Sequence, residues 1–379
     1  MNFDAIVIGG GLAGSATAYH LVREGGRALL VDRGDQGQST FAGAGILSPE
    51  TTGALDTEML PFAFKCAAHY TSLVESLHGD GIVETGYTRT SLLLTATEAD
   101  MPLFEETRAK LLERLQPFGF ADRLTDIAPE DARKMFPPLG PVAAALYQKE
   151  AARVDSHRFS QALQKAGERN GLKLLRRSVD RIIIEGGRAR GVIINDEPYY
   201  ADHVVIAAGA WSERFAKQIQ LRIPIQPMRG QVVHLRYIGQ EGETSQWPML
   251  TPVRGNYIIP WARGRLVVGG TREPDAGFDA RITAAGMHQV FQQLFETAPG
   301  LADAEVIEMR VGLRPMTPDG RPLIGPVPHI EGLWLITGLG AIGQQTAPFA
   351  GRIIADWIRG MPSPVDTSLF DVARFSQGA

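Results

Sequence analysis

The 379-residue chain contains a single cysteine, Cys66. An internal disulfide is therefore impossible, as is a cysteine-cluster metal site, and no metal is expected. Cys66 falls in Phe62-Ala63-Phe64-Lys65-Cys66-Ala67-Ala68, which reads as helix, so a buried structural thiol is expected. Long apolar runs are also missing, and none reaches the roughly 20 residues of a membrane-spanning helix. Nor does one sign of charge dominate: the formal net charge is −4, which offers nucleic acid or an anionic membrane little to bind. Repeats and low-complexity segments are absent. The first strand begins near residue 3, leaving no room for a signal or transit segment, so a soluble cytoplasmic protein is the expectation. The length favours two domains over one core.

What is abundant is glycine, 42 residues, and its placement carries the first motif. Gly9, Gly11 and Gly14 sit between the apolar run Asp4-Ala5-Ile6-Val7-Ile8 and a helical pattern through Leu12, Ala16, Tyr19, Leu21 and Val22. This is the strand–turn–helix context of the dinucleotide fingerprint. Gly9 allows the tight turn, Gly11 lets backbone approach a pyrophosphate, and Gly14 lets the helix pack close to the strand. A second strand, Arg27 to Val31, ends in Asp32 at the spacing of a ribose-binding acid, with Arg33 beside it. The first module thus binds an ADP-containing cofactor, its phosphates facing a helix N-terminus.

Residues 36–50 form a loop of small side chains whose backbone can lie against a flat ligand, although a mobile surface loop has the same composition. Helices are expected over 55–77, 98–115, 129–135 and from a cap at Asp155 or Ser156 to about Asn170. Short strands are expected over 81–88, 91–95, 172–175, 179–185 and 191–195, the last pair turning at Gly186-Gly187. Residues 203–211 read as a buried strand ending in a glycine turn, which returns the chain to the cofactor domain after a small β meander. Longer alternating strands over 231–237, 256–261 and 265–270, with a helix over 282–296, read as a separate, substrate-facing layer. The end is again α/β: strand 306–313, strand 333–337, a glycine loop and a final helix over 344–358.

With these segments in place, the chain resembles the D-amino-acid oxidase superfamily of FAD enzymes, most closely its glycine oxidase and sarcosine oxidase branch. The carriers are the N-terminal fingerprint with Asp32, residues 39–47 and 203–212, and Asn256-Tyr257-Ile258-Ile259-Pro260. Further carriers are residues 264–271, Gly277-Phe278-Asp279, Gly312-Leu313-Arg314-Pro315, Asp319-Gly320, Pro322 to Pro326 and Gly332-Leu333-Trp334. The resemblance implies an α/β (α+β overall) flavoprotein of the glutathione-reductase-2-like fold. A Rossmann-like FAD-binding domain (1–80, 148–215, 305–379) would pair with an antiparallel-sheet substrate-binding domain (81–147, 216–304). By correspondence, Leu12, Ala13, Asp32 and Arg33 would hold the ADP end, and Val179 would offer backbone to the adenine. Ser39, Thr40, Ala44, Gly45 and Ile46 would line the pyrophosphate and isoalloxazine, with Ala208, Gly209 and Trp211 also at the cofactor. Gly338, Leu339, Gly340, Ala341, Ile342, Gly343, Gln344 and Gln345 would pass along the flavin's pyrimidine edge. No cysteine stands where sarcosine oxidases attach flavin, so FAD is expected to be non-covalent.

The implied chemistry is oxidation of the C–N bond of an amine or amino acid by hydride transfer to flavin N5, giving an imine that water hydrolyses. A helix N-terminus after Gly338 to Gly343 would stabilise the negative charge gained on reduction. The resemblance makes Arg314, Tyr257 and Ser48 substrate residues. A guanidinium can grip a carboxylate bidentately, although Arg314 in an internal salt bridge and Tyr257 as a core aromatic remain open. Glycine oxidases of this kind carry an arginine where this chain has Ala341, and Gly255 replaces a polar residue near the substrate. Both departures enlarge and depolarise the pocket, pointing to a bulkier or less polar amine or an N-substituted amino acid rather than glycine. His157, His234 and His288 read as structural or surface histidines. The implied partners are a small amine or amino-acid substrate and an electron acceptor, either oxygen or, as in D-amino-acid dehydrogenases, a quinone or carrier protein. A flavin-binding protein without turnover is a third reading. A nicotinamide enzyme fits the small-residue loop and the C-terminal glycine loop less well.

Overall fold

A computed structural model describes residues 2–238 and 243–376. Among these residues the strands form two sheets, of eight and nine strands. The first is built on Asn2–Ile8, flanked in parallel by Ala28–Val31 and Glu197–Ile206, with Lys173–Leu175 and Leu333–Thr337 outside them. Side chains of a strand alternate between faces. Ala5 and Val7 therefore join a core with the helices Leu12–Arg23, Leu60–Gly79, Ser156–Arg169 and Gly343–Ile358, while Ile6 and Ile8 join another with Val179, Ile182, Val192 and Phe215. Both faces are covered, which explains the near-continuous apolar strands. The expected meander is present: Arg181–Glu185, Arg188–Ile194 and Glu197–Ile206 pair antiparallel in turn. Gly186 and Gly187, at φ 57° and 74°, make the first of its turns. Asp155 caps the helix that follows it by accepting from the Arg158 N–H at 3.2 Å. Cys66 is buried.

The second sheet runs from Glu305–Met316 through Gln226–Arg236, Arg265–Gly269, Tyr257–Pro260, Met249–Pro252, Tyr87–Ala96 and Ala144–Val154 to Ile46–Leu47. Three of its strands cross the expected division, the first being Ile46–Leu47, expected in the first domain but paired with Ala152 and Arg153. Residues 305–316, expected in the first domain, pair with 226–236 along their whole length. Residues 144–154 pair with 87–96, so the sheet continues past residue 148. The two β runs expected at 81–88 and 91–95 are one strand, Tyr87–Ala96, with an irregularity between Thr90 and Leu92, and residues 82–86 lie outside it. Ala144–Val154 was not expected as strand because Ala, Gln, Lys and Glu dominate it; cross-strand pairing on both sides overrides that helical preference.

The first and last helices pack backbone to backbone. A Cβ built on Gly351 would lie 2.8 Å from both the Ala13 carbonyl oxygen and the Thr17 nitrogen. A Cβ on Gly14 would lie 1.9 Å from the Gly9 carbonyl oxygen. Glycine inside a helix ordinarily costs about 1 kcal/mol against alanine. Here the contact reverses the sign. Gly351→Ala is expected to lower stability by about 1–3 kcal/mol, the usual penalty of overpacking, read as a fall in the denaturant midpoint at unchanged slope. A rise in the midpoint would mean that the helices separate freely.

Candidate active site

The carboxyl ends of the parallel strands face the second sheet across a cavity of about 840 Å³. Open α/β sheets bind ligands at that end, and the volume is that of a cofactor site. The cavity wall contains the Gly9 to Ala13 turn, Asp32, the loop around Ser39 to Ala44, Ala208, Gly209 and Trp211, and the loop Leu339 to Gln345. It also contains Tyr257 and Arg314 from the second sheet.

Three features test whether an extended dinucleotide fits. First, helix Leu12–Arg23 begins at Gly11 with no side-chain cap and no acid in its first turn. Gly11 lines the cavity, and a Cβ there would meet only the Thr40 hydroxyl, at 3.2 Å. Thr40 Oγ1 itself accepts from the Leu12 N–H at 3.1 Å. Second, Asp32 is buried and fixed by backbone: it accepts from Gly10 N–H at 2.7 Å, Gly34 N–H at 2.6 Å and Gln38 Nε2 at 3.0 Å. A carboxylate has about four acceptor sites, so capacity remains for a ribose hydroxyl. Third, helix Gly343–Ile358 also lacks a side-chain cap and an acid in its first turn, and Gly343, Gln344 and Gln345 line the cavity. Its unpaired N–H groups and dipole favour negative charge there. The residues fit FAD.

Other expected cofactor residues divide into those on the wall and those behind it. Leu12, Ala13, Arg33, Ser39, Ala44, Ile46, Val179, Gly340, Ala341 and Ile342 line the cavity. Arg33 is paired with Asp35 at 2.7 Å, and the Val179 carbonyl already accepts from Arg214 Nη2 at 2.7 Å. Gly14, Gly45 and Gly338 do not line it. They are packing positions: a Cβ on Gly45 would lie 1.8 Å from the Val154 carbonyl oxygen, and one on Gly338 2.6 Å from Thr317. The Gln344 side chain lies over Gly43 and accepts from the Gly45 N–H, while the Tyr70 hydroxyl donates to the Gln344 carbonyl. The small-residue loop is therefore clamped to the last helix.

At the substrate end, Arg314 makes no ion pair among the described residues. Its Nη1 donates to the Thr271 carbonyl at 3.1 Å, and its guanidinium interacts electrostatically with the Tyr257 hydroxyl. Gly230, which the sequence did not single out, makes the room: a Cβ there would lie 2.3 Å from Arg314 Nη1. Burial lowers the Arg314 pKa and raises that of Tyr257, so Tyr257 remains a neutral hydroxyl. Ser48 is a correction. It is fully buried outside the cavity wall, donating to Gln148 Oε1 at 2.6 Å and bonded to Thr51 at 2.6 Å. Ala341 and Gly255 do line the cavity, but the expected loss of polarity does not follow, because Arg272 lines it too. The sequence did not single out that arginine. The buried amides Asn256 Nδ2 and Gln345 Nε2 have no partner among the described residues, and both residues are on the wall. His234 is buried beside Glu308 with its pKa lowered by burial to about 4, His157 packs on Phe41, and His288 is exposed. None lines the cavity.

The FAD dependent oxidoreductase (DAO) family profile matches residues 4–357. The chain is similar to the uncharacterized oxidoreductase YurR of Bacillus subtilis, at 33% identity over 97% of this chain and 98% of the relative. It is 30% identical to the glycine oxidase of Pseudomonas putida over 97% of both chains. Among solved structures, iminodiacetate oxidase from Chelativorans sp. BNC1 superposes with a TM-score of 0.91 at 34% identity, covering 97% of this chain and 98% of that one.

Asp32→Ala removes an acceptor from three donors and from the cofactor. Charge-assisted bonds are worth about 1.5–3 kcal/mol, so the FAD dissociation constant of the apoprotein should rise about ten- to hundred-fold. Flavin fluorescence on titration reads this directly, and an unchanged constant would remove Asp32 from the cofactor site.

Proposed function

Because the chain belongs to the family of FAD-dependent oxidoreductases, we propose that it oxidises the C–N bond of an amine carrying a carboxylate, an N-substituted amino acid rather than glycine. The observation that carries this reading is Arg314: a guanidinium drawn out of water into the cavity wall, close to the Tyr257 hydroxyl and without an ion pair among the described residues. An internal ion pair would have been the bland explanation of a buried arginine. A ligand carboxylate supplies the missing partner, held by two parallel N–H bonds. Tyr257, kept protonated by burial, donates its hydroxyl to the same anion or to its neighbour. The glycine oxidase and iminodiacetate oxidase relatives support an amine next to a carboxylate.

When bound, FAD accepts the electron pair of the oxidation and passes it to an acceptor, which the oxidase relatives suggest is oxygen. The residues on the wall provide position and field. Arg314 and Tyr257 fix the carboxylate end and so orient the neighbouring carbon. The uncapped N-terminus of Gly343–Ile358 stabilises negative charge arising beside it with no titratable side chain. The substrate loses a hydride from carbon and a proton from nitrogen to give a C=N bond, and water then cleaves it into an amine and a carbonyl compound. A neutral amine needs no strong base for this, and no histidine reaches the cavity. FAD is held non-covalently in this reading: Cys66 is buried away from the wall.

Anaerobic mixing with N-substituted glycines should bleach the flavin. Arg314→Ala should lower kcat/KM for them about hundredfold, the loss of a charge-assisted grip of about 2–3 kcal/mol. Bleaching that survives the substitution unchanged would retain the enzyme class and discard the carboxylate anchor.

A further inference from the structure

We propose that Arg272 forms a second anion site in the same cavity, so that the preferred substrate carries two carboxylates, one on each side of the amine. The inference rests on the reading of Arg314 as the first carboxylate anchor. Arg272 follows the strand Arg265–Gly269 by three residues, is exposed, and lines the cavity with Arg314. Arg272 directly follows Thr271, whose carbonyl accepts from Arg314 Nη1 at 3.1 Å, and its charge opposes that of Arg314 and favours ionisation of Tyr257. The two guanidiniums therefore share one end of the cavity.

Arg272 makes no ion pair or hydrogen bond among the described residues, and the neighbouring acid explains why. Glu273 is committed elsewhere: it pairs with Arg229 at 2.6 Å and accepts from Gln231 Nε2 at 2.7 Å and Thr271 Oγ1 at 2.5 Å. Arg229 is neutralised a second time by Asp279 at 2.8 Å. The only acids on the cavity wall, among the described residues, are Asp32 and Asp35. Asp32 is held by the first turn and Asp35 by Arg33, so neither serves Arg272. Two like charges facing one cavity oppose each other unless a ligand brings negative charge. A monocarboxylate zwitterion would satisfy Arg314 and leave Arg272 to solvent. A secondary amine with a carboxylate on each arm satisfies both.

Equilibrium binding to the FAD-loaded enzyme tests this without turnover. Diglycolate has two carboxylates on an ether oxygen, methoxyacetate has one, and neither has a nitrogen to oxidise. Each is titrated at constant ionic strength against wild type, Arg272→Met, Arg272→Lys and Arg314→Ala, following the visible flavin absorbance. Wild type is expected to bind diglycolate more tightly. Arg272→Met should weaken diglycolate about tenfold, the order expected of one partly solvated charge pair, and leave methoxyacetate within about twofold. Arg272→Lys should recover part of the loss. Equal weakening of both acids, or none of either, overturns the second site. A loss of both acids in Arg314→Ala alone, with Arg272→Met unchanged, upholds the first anchor and rejects the second. An Arg272-dependent preference for the diacid that Arg314→Ala leaves intact does the opposite. Failure of wild type to bind either acid overturns both. An unchanged melting temperature in Arg272→Met excludes misfolding.

Discussion

Two helix N-termini open into one cavity, and that convergence is the constraint on which the site depends. An uncapped helix end leaves N–H groups without partners. Helices Leu12–Arg23 and Gly343–Ile358 both end this way, and neither has an acid in its first turn. Their spacing is set by backbone contact. Gly351 allows the last helix to touch Ala13 and Thr17, and Gly14 allows the first helix to touch the Gly9 turn. Any Cβ at these positions would move a helix axis, and with it the positive end that the helix presents. Both helices share the core of the first sheet, so the hydrophobic packing that stabilises the fold also fixes the field in the cavity. FAD brings its pyrophosphate and the charge gained on reduction to a protein already arranged for anions.

The second sheet is tied to this frame through the strand that carries Arg314. Glu305–Met316 pairs with Gln226–Arg236 on one side. On the other, Leu313 N–H donates to the Gly37 carbonyl at 2.8 Å, and Gly312 leaves room for Ser39 and Ala42. The loop that lines the cavity therefore rests on the strand that carries Arg314. Gly230 belongs to the same arrangement from the neighbouring strand, since its missing side chain is the space the guanidinium occupies. Orientation-based catalysis depends on the relative position of its parts, and here one strand fixes both the small-residue loop and Arg314.

The first sheet was legible because its signals are local. The Gly9–Gly14 turn, the apolar strand before it and Asp32 after it follow from spacing alone, and each occupies the expected place. The second sheet was legible in its alternating strands, since 231–237, 256–261, 265–270 and 306–313 fall on Gln226–Arg236, Tyr257–Pro260, Arg265–Gly269 and Glu305–Met316. Ala144–Val154 is made strand by pairing with Tyr87–Ala96 and Leu124–Ile127, and no local pattern encodes that. The site divides in the same way. Gly9 and Gly11 reach the cavity wall because the backbone geometry there demands glycine, whereas Gly14, Gly45 and Gly338 pack behind it. Ser48 was misplaced because a resemblance gives a position along the chain, whereas the direction of its hydroxyl is set by Gln148, a hundred residues on. Gly230 and Arg272 left no sequence signal, since their roles exist only relative to Arg314.

Arg272 also explains how the cavity can lack an arginine at position 341 without losing its attraction for anions. Ala341 lies in the short turn Gly340–Ile342 directly before the last helix. A cation there would sit at the positive end of the helix dipole, where like charge is unfavourable, and would compete with the helix for the same anion. Arg272 stands instead on the second-sheet wall beside the strand end, clear of that dipole and near Arg314. The change carries a different cost, repulsion between two guanidiniums, which solvent screens at Arg272 and burial sharpens at Arg314. A ligand with one negative charge relieves half of that opposition, and a ligand with two relieves all of it. Positive charge thus stands on the second-sheet wall rather than at the helix end, where it can act on which amine is bound.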